Sequence, residues 1–169
     1  MTVEHLKDAI ELVTGGVNWT PVDMWYPTRW DELSSTLGVP DYFRKVRPDL
    51  APSMTFQKFL ADGASAVCAD LITIEAGLPA DQRVFFVHID PGVDPLSAAT
   101  STDANIQMLL LRFHGKDVDT GDAEFEPWRN LVVQTAAAPE MPPGGQAKWW
   151  DAWTTLCMGL IQHPDFFSY

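Results

Sequence analysis

Only one stretch of this chain reads as a β-strand, and that constrains the fold more than any other feature. Val84-Phe-Phe-Val-His-Ile89 is a continuous run of apolar, β-branched and aromatic residues bounded by Asp81 and by Asp90-Pro91-Gly92, the pattern of a strand. A lone strand has no neighbour to take up its backbone donors and acceptors. The run is therefore one arm of a small hairpin or an extended segment laid over helices, and we expect the second. The remaining residues must supply a helical core. One domain is expected over residues 1–169, because 169 residues hold one core and fall short of two domains of roughly 100–150 residues each.

Helical periodicity runs through most of that remainder. Val3, Leu6, Ile10 and Val13 recur at helical spacing, with Thr2 as a cap and Gly15-Gly16 as a left-handed stop. Thr28-Arg-Trp-Asp31 has the cap-plus-acid pattern and sets Trp30, Leu33 and Leu37 on one side before Gly38 and Pro40. Asp41-Tyr42-Phe43 opens a further turn or two that Pro48 halts. Ser53 begins what reads as the central helix, with Phe56, Phe59, Leu60, Val67, Cys68 and Leu71 on one face. Gly63 and Ala64 allow close approach there, and Gly77-Leu-Pro79 ends the element.

Ser101 or Thr102 caps the next helix, which turns Ile106, Leu109, Leu110 and Phe113 inward and stops at Gly115. Phe125, Trp128, Leu131, Val132 and Thr135 mark another helix, with Pro127 tolerated in its first turn. A loop follows from Ala138. The last helix carries Trp149, Trp153, Leu156, Cys157 and Leu160 to His163-Pro164, after which Asp165 to Tyr169 folds back as an aromatic tail. There is no repeat of fixed period, and 13 prolines and 11 glycines punctuate the connections. That excludes a solenoid and an idealised bundle. The expected fold is mainly α: a single irregular helical domain of about six or seven helices with at most one short strand or hairpin.

Charge narrows the partners. Eleven Lys and Arg stand against 23 Asp and Glu, a net charge of −12, which disfavours nucleic acid and anionic membranes. Nine of the carboxylates lie between Asp81 and Glu126, facing Arg83, Arg112 and Lys116, so that region is a solvated surface or a docking face for something basic. The longest apolar window, Trp153 to Ile161, is about half a membrane span. No export signal opens the chain, so a cytoplasmic location is expected. Cys68 and Cys157 each sit in an apolar helical pattern. We expect buried, inert thiols, with a helix-to-helix disulfide as the alternative.

Motifs for chemistry are sparse. Asp117-Val-Asp119-Thr-Gly121-Asp122-Ala-Glu124 resembles a calcium loop, but the sixth and twelfth positions hold Asp122 and Trp128 instead of the required glycine and glutamate. An acidic capped turn is the better reading. His5, His88, His114 and His163 include no pair at the three- or four-residue spacing of a helical zinc site. His88 and Asp90 alternate correctly on the strand candidate, with Asp94 near, yet no third nitrogen or thiolate is evident. His114, and His163 likewise, read as helix-end caps. No nucleophile elbow, phosphate loop or Cys-x-x-Cys pair is present. These absences lean away from an enzyme without deciding it; no cofactor and no metal are expected, the weak metal candidates being His88, Asp90 and His114.

Seven tryptophans are many for this length, and Trp19, Trp25, Tyr26 and Trp30 crowd a loop-rich segment. Aromatic loops beside prolines make good interface anchors.

Several phrases of the chain look familiar together: Leu37-Gly38-Val-Pro40-Asp41-Tyr42, Pro52-Ser53-Met-Thr-Phe56, Asn105 through Arg112-Phe113-His114-Gly115, Pro127-Trp128, and Trp153 through Cys157 to His163-Pro164-Asp165-Phe166. They resemble uncharacterised helical bacterial proteins of myxobacteria and related deltaproteobacteria. Those proteins look like relatives of the C-terminal regions that accompany planctomycete-type cytochromes. The resemblance covers most of the chain, although this sequence lacks a haem-binding cysteine pair. It implies an accessory component beside exported redox or hydrolase-like proteins, in the cell envelope or periplasm.

The expected function is a noncatalytic accessory or assembly subunit that binds a larger protein partner, or a second copy, through Trp19, Trp25, Tyr26, Trp30, Phe166, Phe167 and Tyr169. One alternative is a small metal-dependent redox or hydrolytic enzyme using His88, Asp90 and His114. Another is a small-ligand or carbohydrate-binding module using Trp25 and Trp30.

Overall fold

In the computed structural model, residues 3–19, 30, 54–138 and 148–167 are described. Six α-helices carry them: α1 (Val3–Val13), α2 (Met54–Ala76), α3 (Ala99–His114), α4 (Glu126–Ala137), α5 (Lys148–Gln162) and α6 (Pro164–Phe167). A single 3-10 turn, Ala80–Gln82, follows α2. The fold is mainly α, with no strand among the described residues. No described helix is long and apolar enough to cross a membrane. The expected helix over 28–37 apart from Trp30, the turns after Asp41, the caps Thr2 and Ser53, and most of the loop after Ala138 lie outside the described residues.

The glycine stops behave as their backbone freedom allows. Gly15 and Gly16 end α1 at φ 73° and 100°, a region that costs L-residues strain. A Cβ on Gly15 would stand 2.8 Å from a methyl of Val84, so space as well as conformation requires glycine there. The last carbonyls of α1 are taken by Arg112 on α3, whose Nε donates to Val13 O at 2.6 Å and whose second guanidinium nitrogen donates to Leu12 O at 3.2 Å. α3 starts earlier than the hydroxyl pattern suggests. It begins at Ala99, and the Thr102 hydroxyl donates to Pro95 O at 3.0 Å instead of capping its own first turn.

Two helices, α2 and α5, supply much of the described core. α5 packs against α2, α4, α3 and α6, whereas α2 makes its main helix contact with α5. The expected long helix α2 is also deep in the core, with ten buried residues from Phe56 to Glu75. Ala152, Trp153, Leu156, Cys157, Leu160 and Ile161 are all buried, so α5 offers apolar residues to several neighbouring helices. Gly159 helps on the α4 side, where a Cβ would lie 3.3 Å from the Trp128 ring and 3.4 Å from Leu131.

Cys68 on α2 and Cys157 on α5 form a disulfide with a Cα–Cα distance of 5.8 Å, which overturns the inert-thiol expectation. Both apolar stripes face the same seam, so the two sulfurs meet there. The bond closes a sequence separation of 89 residues, a constraint that removes much of the unfolded chain's freedom.

The strand-like run forms no ladder. Residues 84–89 follow successive bends, with Phe85, Phe86 and Ile89 buried while Val87 and His88 are exposed. Phe85 and Phe86 pack edge-on to Trp153, at 6.3 and 5.6 Å between ring centroids. Two side chains do the work of a neighbouring strand. The Glu75 carboxylate, 1% exposed, accepts from the amides of Val84, Phe85 and Phe86 at 2.7–2.9 Å. Asn105 Oδ1 accepts from the amides of Val87 and His88 at 3.0 Å, and its Nδ2 donates to Phe85 O at 3.0 Å. The backbone accounting that makes a lone strand untenable is met by a carboxylate and an amide.

Trp19 and Trp30 are not exposed anchors. They are 7% and 2% exposed, edge to face with each other at 5.6 Å and both against Phe59. Gly63 makes room for the Trp19 ring, whose atoms would sit 3.0 Å from a Cβ. Rings of this size gain more from burial than from solvent contact. Phe166 is likewise buried, against Phe113, and Phe167 is half-buried with its ring on Phe56. Trp25, Tyr26 and Tyr169 lie outside the described residues.

Candidate functional site

Where the carboxyl ends of α3 and α5 meet, polar side chains converge on a cavity. Gly115 adopts φ 66° and returns its amide to Leu111 O at 3.0 Å, so α3 stops with His114 as its last residue and Lys116 turned alongside. α5 stops at Gln162, and Pro164 opens α6, leaving His163 at the corner and Asp165 in the first turn beyond it. The cavity, of about 540 Å³, has apolar lining residues that include Leu110, Val118, Pro127, Trp128 and Leu131. His114, Lys116, Glu124, His163 and Asp165 line it as well. Its size is that of ordinary small-ligand pockets, about 300–1,000 Å³.

His114 is 3% exposed. Its Nε2 lies 3.0 Å from Leu160 O, and a carbonyl only accepts, so Nε2 carries the proton and Nδ1 is the unprotonated nitrogen. Burial pulls the pKa of His114 below the ordinary imidazole value, against the opposing pull of the Leu160 hydrogen bond, with the nearby His163 lowering it further. His114, His163 and Trp128 pack as three rings with centroids 5.0–5.4 Å apart.

His163 Nδ1 stands between two partners. It lies 3.3 Å from the amide of Asp165, from which a neutral ring accepts, and 3.3 Å from Asp165 Oδ2, to which a protonated ring donates. Asp165 Oδ2 also receives the Lys116 ammonium at 2.7 Å, and Lys116 reaches Glu124 Oε1 at 2.6 Å. Those hydrogen bonds, Asp165 first, hold Lys116 above its ordinary range. The Lys116 hydrogen bond in turn holds Asp165 below the usual carboxylate range. Lysine, glutamate and aspartate together leave one negative charge beside two imidazoles, an environment suited to a cation.

The metal-binding atoms of His114, His163 and Asp165 all lie within 4.8 Å of one another. A tetrahedral zinc ion with bonds of about 2.0–2.1 Å keeps its ligand atoms about 3.3 Å apart. The set therefore fits after a contraction of about 1.5 Å, within reach of side-chain rotation at the half-buried His163 and Asp165. Asp165 must also exchange the Lys116 ammonium for the metal.

The sequence candidates fare unevenly. His114 is in the cluster, bonded to the Leu160 carbonyl of another helix. His88 and Asp90 are not with it. His88 is exposed, and Asp90 pairs with Arg83 at 3.0 Å and accepts the Gly92 amide at 2.9 Å. Asp94 caps the amide of Leu96 at 2.9 Å. The calcium-like stretch is a capped turn, with Asp122 Oδ2 accepting the Asp119 amide at 3.0 Å. His163 and Asp165 are the partners that the sequence reading missed. The signal available was a histidine and a carboxylate flanking Pro164 at a helix end, but nothing in the spacing joins that pair to His114.

No known family profile, curated protein or solved structure matches this chain.

Proposed function

We propose that this chain is a small metal-dependent protein in which His114, His163 and Asp165 hold one divalent transition-metal ion against the cavity. The observation that carries this reading is the convergence of two imidazoles and a carboxylate, from the ends of two helices, on a pocket with an apolar wall. Two nitrogens and one carboxylate oxygen suit zinc, and a three-residue set leaves a coordination position for water or substrate. The Nε2–H bond from His114 to Leu160 O is the outer hydrogen bond that orients a ligating imidazole. When bound, zinc would supply a polarised water for hydrolysis. The chain's part is to orient the imidazoles, wall the site with Trp128 and Leu131, and hold Lys116 ready to neutralise Asp165 when the ion is away.

The Cys68–Cys157 bond suits an oxidising compartment, the location that the resemblance to envelope proteins would imply. The accessory-subunit reading loses Trp19 and Trp30 as surface anchors, since both serve the core. Of its aromatic loop anchors Trp25 and Tyr26 are left, and they lie outside the described residues.

The test is calorimetric titration of chelator-treated protein with Zn²⁺. One equivalent should bind, and His163→Ala, a half-buried site whose change spares the core, should abolish it. No binding at millimolar zinc, or binding unchanged in His163→Ala, would refute the proposal.

A further inference from the structure

Resting on that metal site, we infer that the loaded pocket takes a small carboxylic acid with a compact apolar body. Charge is the first argument. Lys116, Glu124 and Asp165 sum to one negative charge with neutral imidazoles, so a divalent ion turns the cluster net positive, and its open position then prefers an anionic oxygen donor. Lys116 strengthens the preference. Once Asp165 has turned to the metal, the ammonium keeps Glu124 and has a donor to give to a second carboxylate oxygen. Shape is the other argument. Beside the cluster the same cavity is lined by Leu110, Val118, Pro127, Leu131 and the Trp128 ring, the last packed on both imidazoles, an apolar lining that suits a ring or branched chain. A carboxylate head on the metal and Lys116, with an apolar body on Trp128 and Leu131, uses both the polar and the apolar lining of the pocket.

The experiment uses the whole chain loaded with Co²⁺, whose visible bands report on the metal's ligands, and titrates it with benzoate, acetate and benzyl alcohol. Benzoate should change the bands saturably. Acetate should bind about tenfold more weakly for want of the buried ring, and benzyl alcohol should leave the bands unchanged. Leu131→Gln should keep the cobalt spectrum and weaken benzoate towards acetate. A normal cobalt spectrum indifferent to benzoate would overturn the inference and leave the metal site standing. Failure to form any cobalt spectrum would overturn both. Equal binding of benzoate and acetate, or benzoate binding to metal-free protein just as well, would refute the paired recognition by metal and apolar wall.

Discussion

Glu75 and His114 are buried polar residues at the carboxyl ends of α2 and α3, and their surroundings are finished in opposite ways. Glu75 accepts three backbone amides on its two oxygens, and those bonds hold the 84–86 backbone in place. Around His114 the groups share partners: His163 Nδ1 faces two, Lys116 is shared by two carboxylates, and a cavity adjoins them. A saturated polar centre is structural, because any rearrangement strands a buried donor. A centre with exchangeable partners beside open volume is where a ligand gains by replacing them.

The contrast breaks first at Glu75. Glu75→Ala leaves three amides without their acceptor and should cost about 4 kcal/mol in urea unfolding. Glu75→Gln should cost nearly as much, because its amide turns a donor towards donors. If Glu75→Gln were neutral, the closed centre would not be what holds the 84–88 segment.

The next effect concerns the clamp between the helix that carries Glu75 and the helix that leads to His163. Replacing Cys68 and Cys157 together by alanine should cost about 3 kcal/mol, given a separation of 89 residues. Thermal unfolding with and without reductant checks it, and the variant should have lost the reductant sensitivity of the parent.

At the open centre the order of effects reverses. Lys116→Met should leave Tm nearly unchanged, because ion pairs open to solvent contribute little, yet raise zinc affinity about tenfold by removing the competing cation from Asp165. Unchanged zinc affinity in that variant would show that the ammonium does not occupy the cation's place.

The smallest effect lies at the edge of the closed region. The Gly92 amide, and after it Arg83, hold the Asp90 carboxyl below its ordinary value of 3.8. A carboxyl lowered by folding stabilises above its unfolded value and loses that contribution as pH falls through the folded one. Between pH 6 and 3, Asp90→Asn should therefore show a smaller fall in Tm than the parent, by about 1 °C for so exposed a pair.

Much of the architecture is legible in residue order because it is local. The stripes of α1, α2, α3 and α5, the glycine stops at Gly15, Gly16 and Gly115, and Pro127 in the first turn of α4 follow from helical period and backbone freedom. The run at 84–89 shows where locality ends. Its composition is that of a strand, but Glu75 and Asn105, from two helices, take its amides and leave it bent. Trp19 and Trp30 show the same limit: their place in a proline-rich stretch suggests exposure, while Phe59 and Gly63 on α2 make the buried seat.

Periodicity, punctuation and charge balance act between neighbours a few residues apart, so a mainly helical chain with a net acid excess was already written in the order of its residues. Which helix becomes the hub, which cysteines meet, and which histidines share a pocket depend on groups far apart in the chain arriving together. His114 meets His163 and Asp165 because Gly115 stops one helix, Pro164 starts another, and the packing of α5 against its neighbours sets both ends beside Trp128. Those contacts are long-range, and packing chooses them by filling volume, which no sequence spacing encodes.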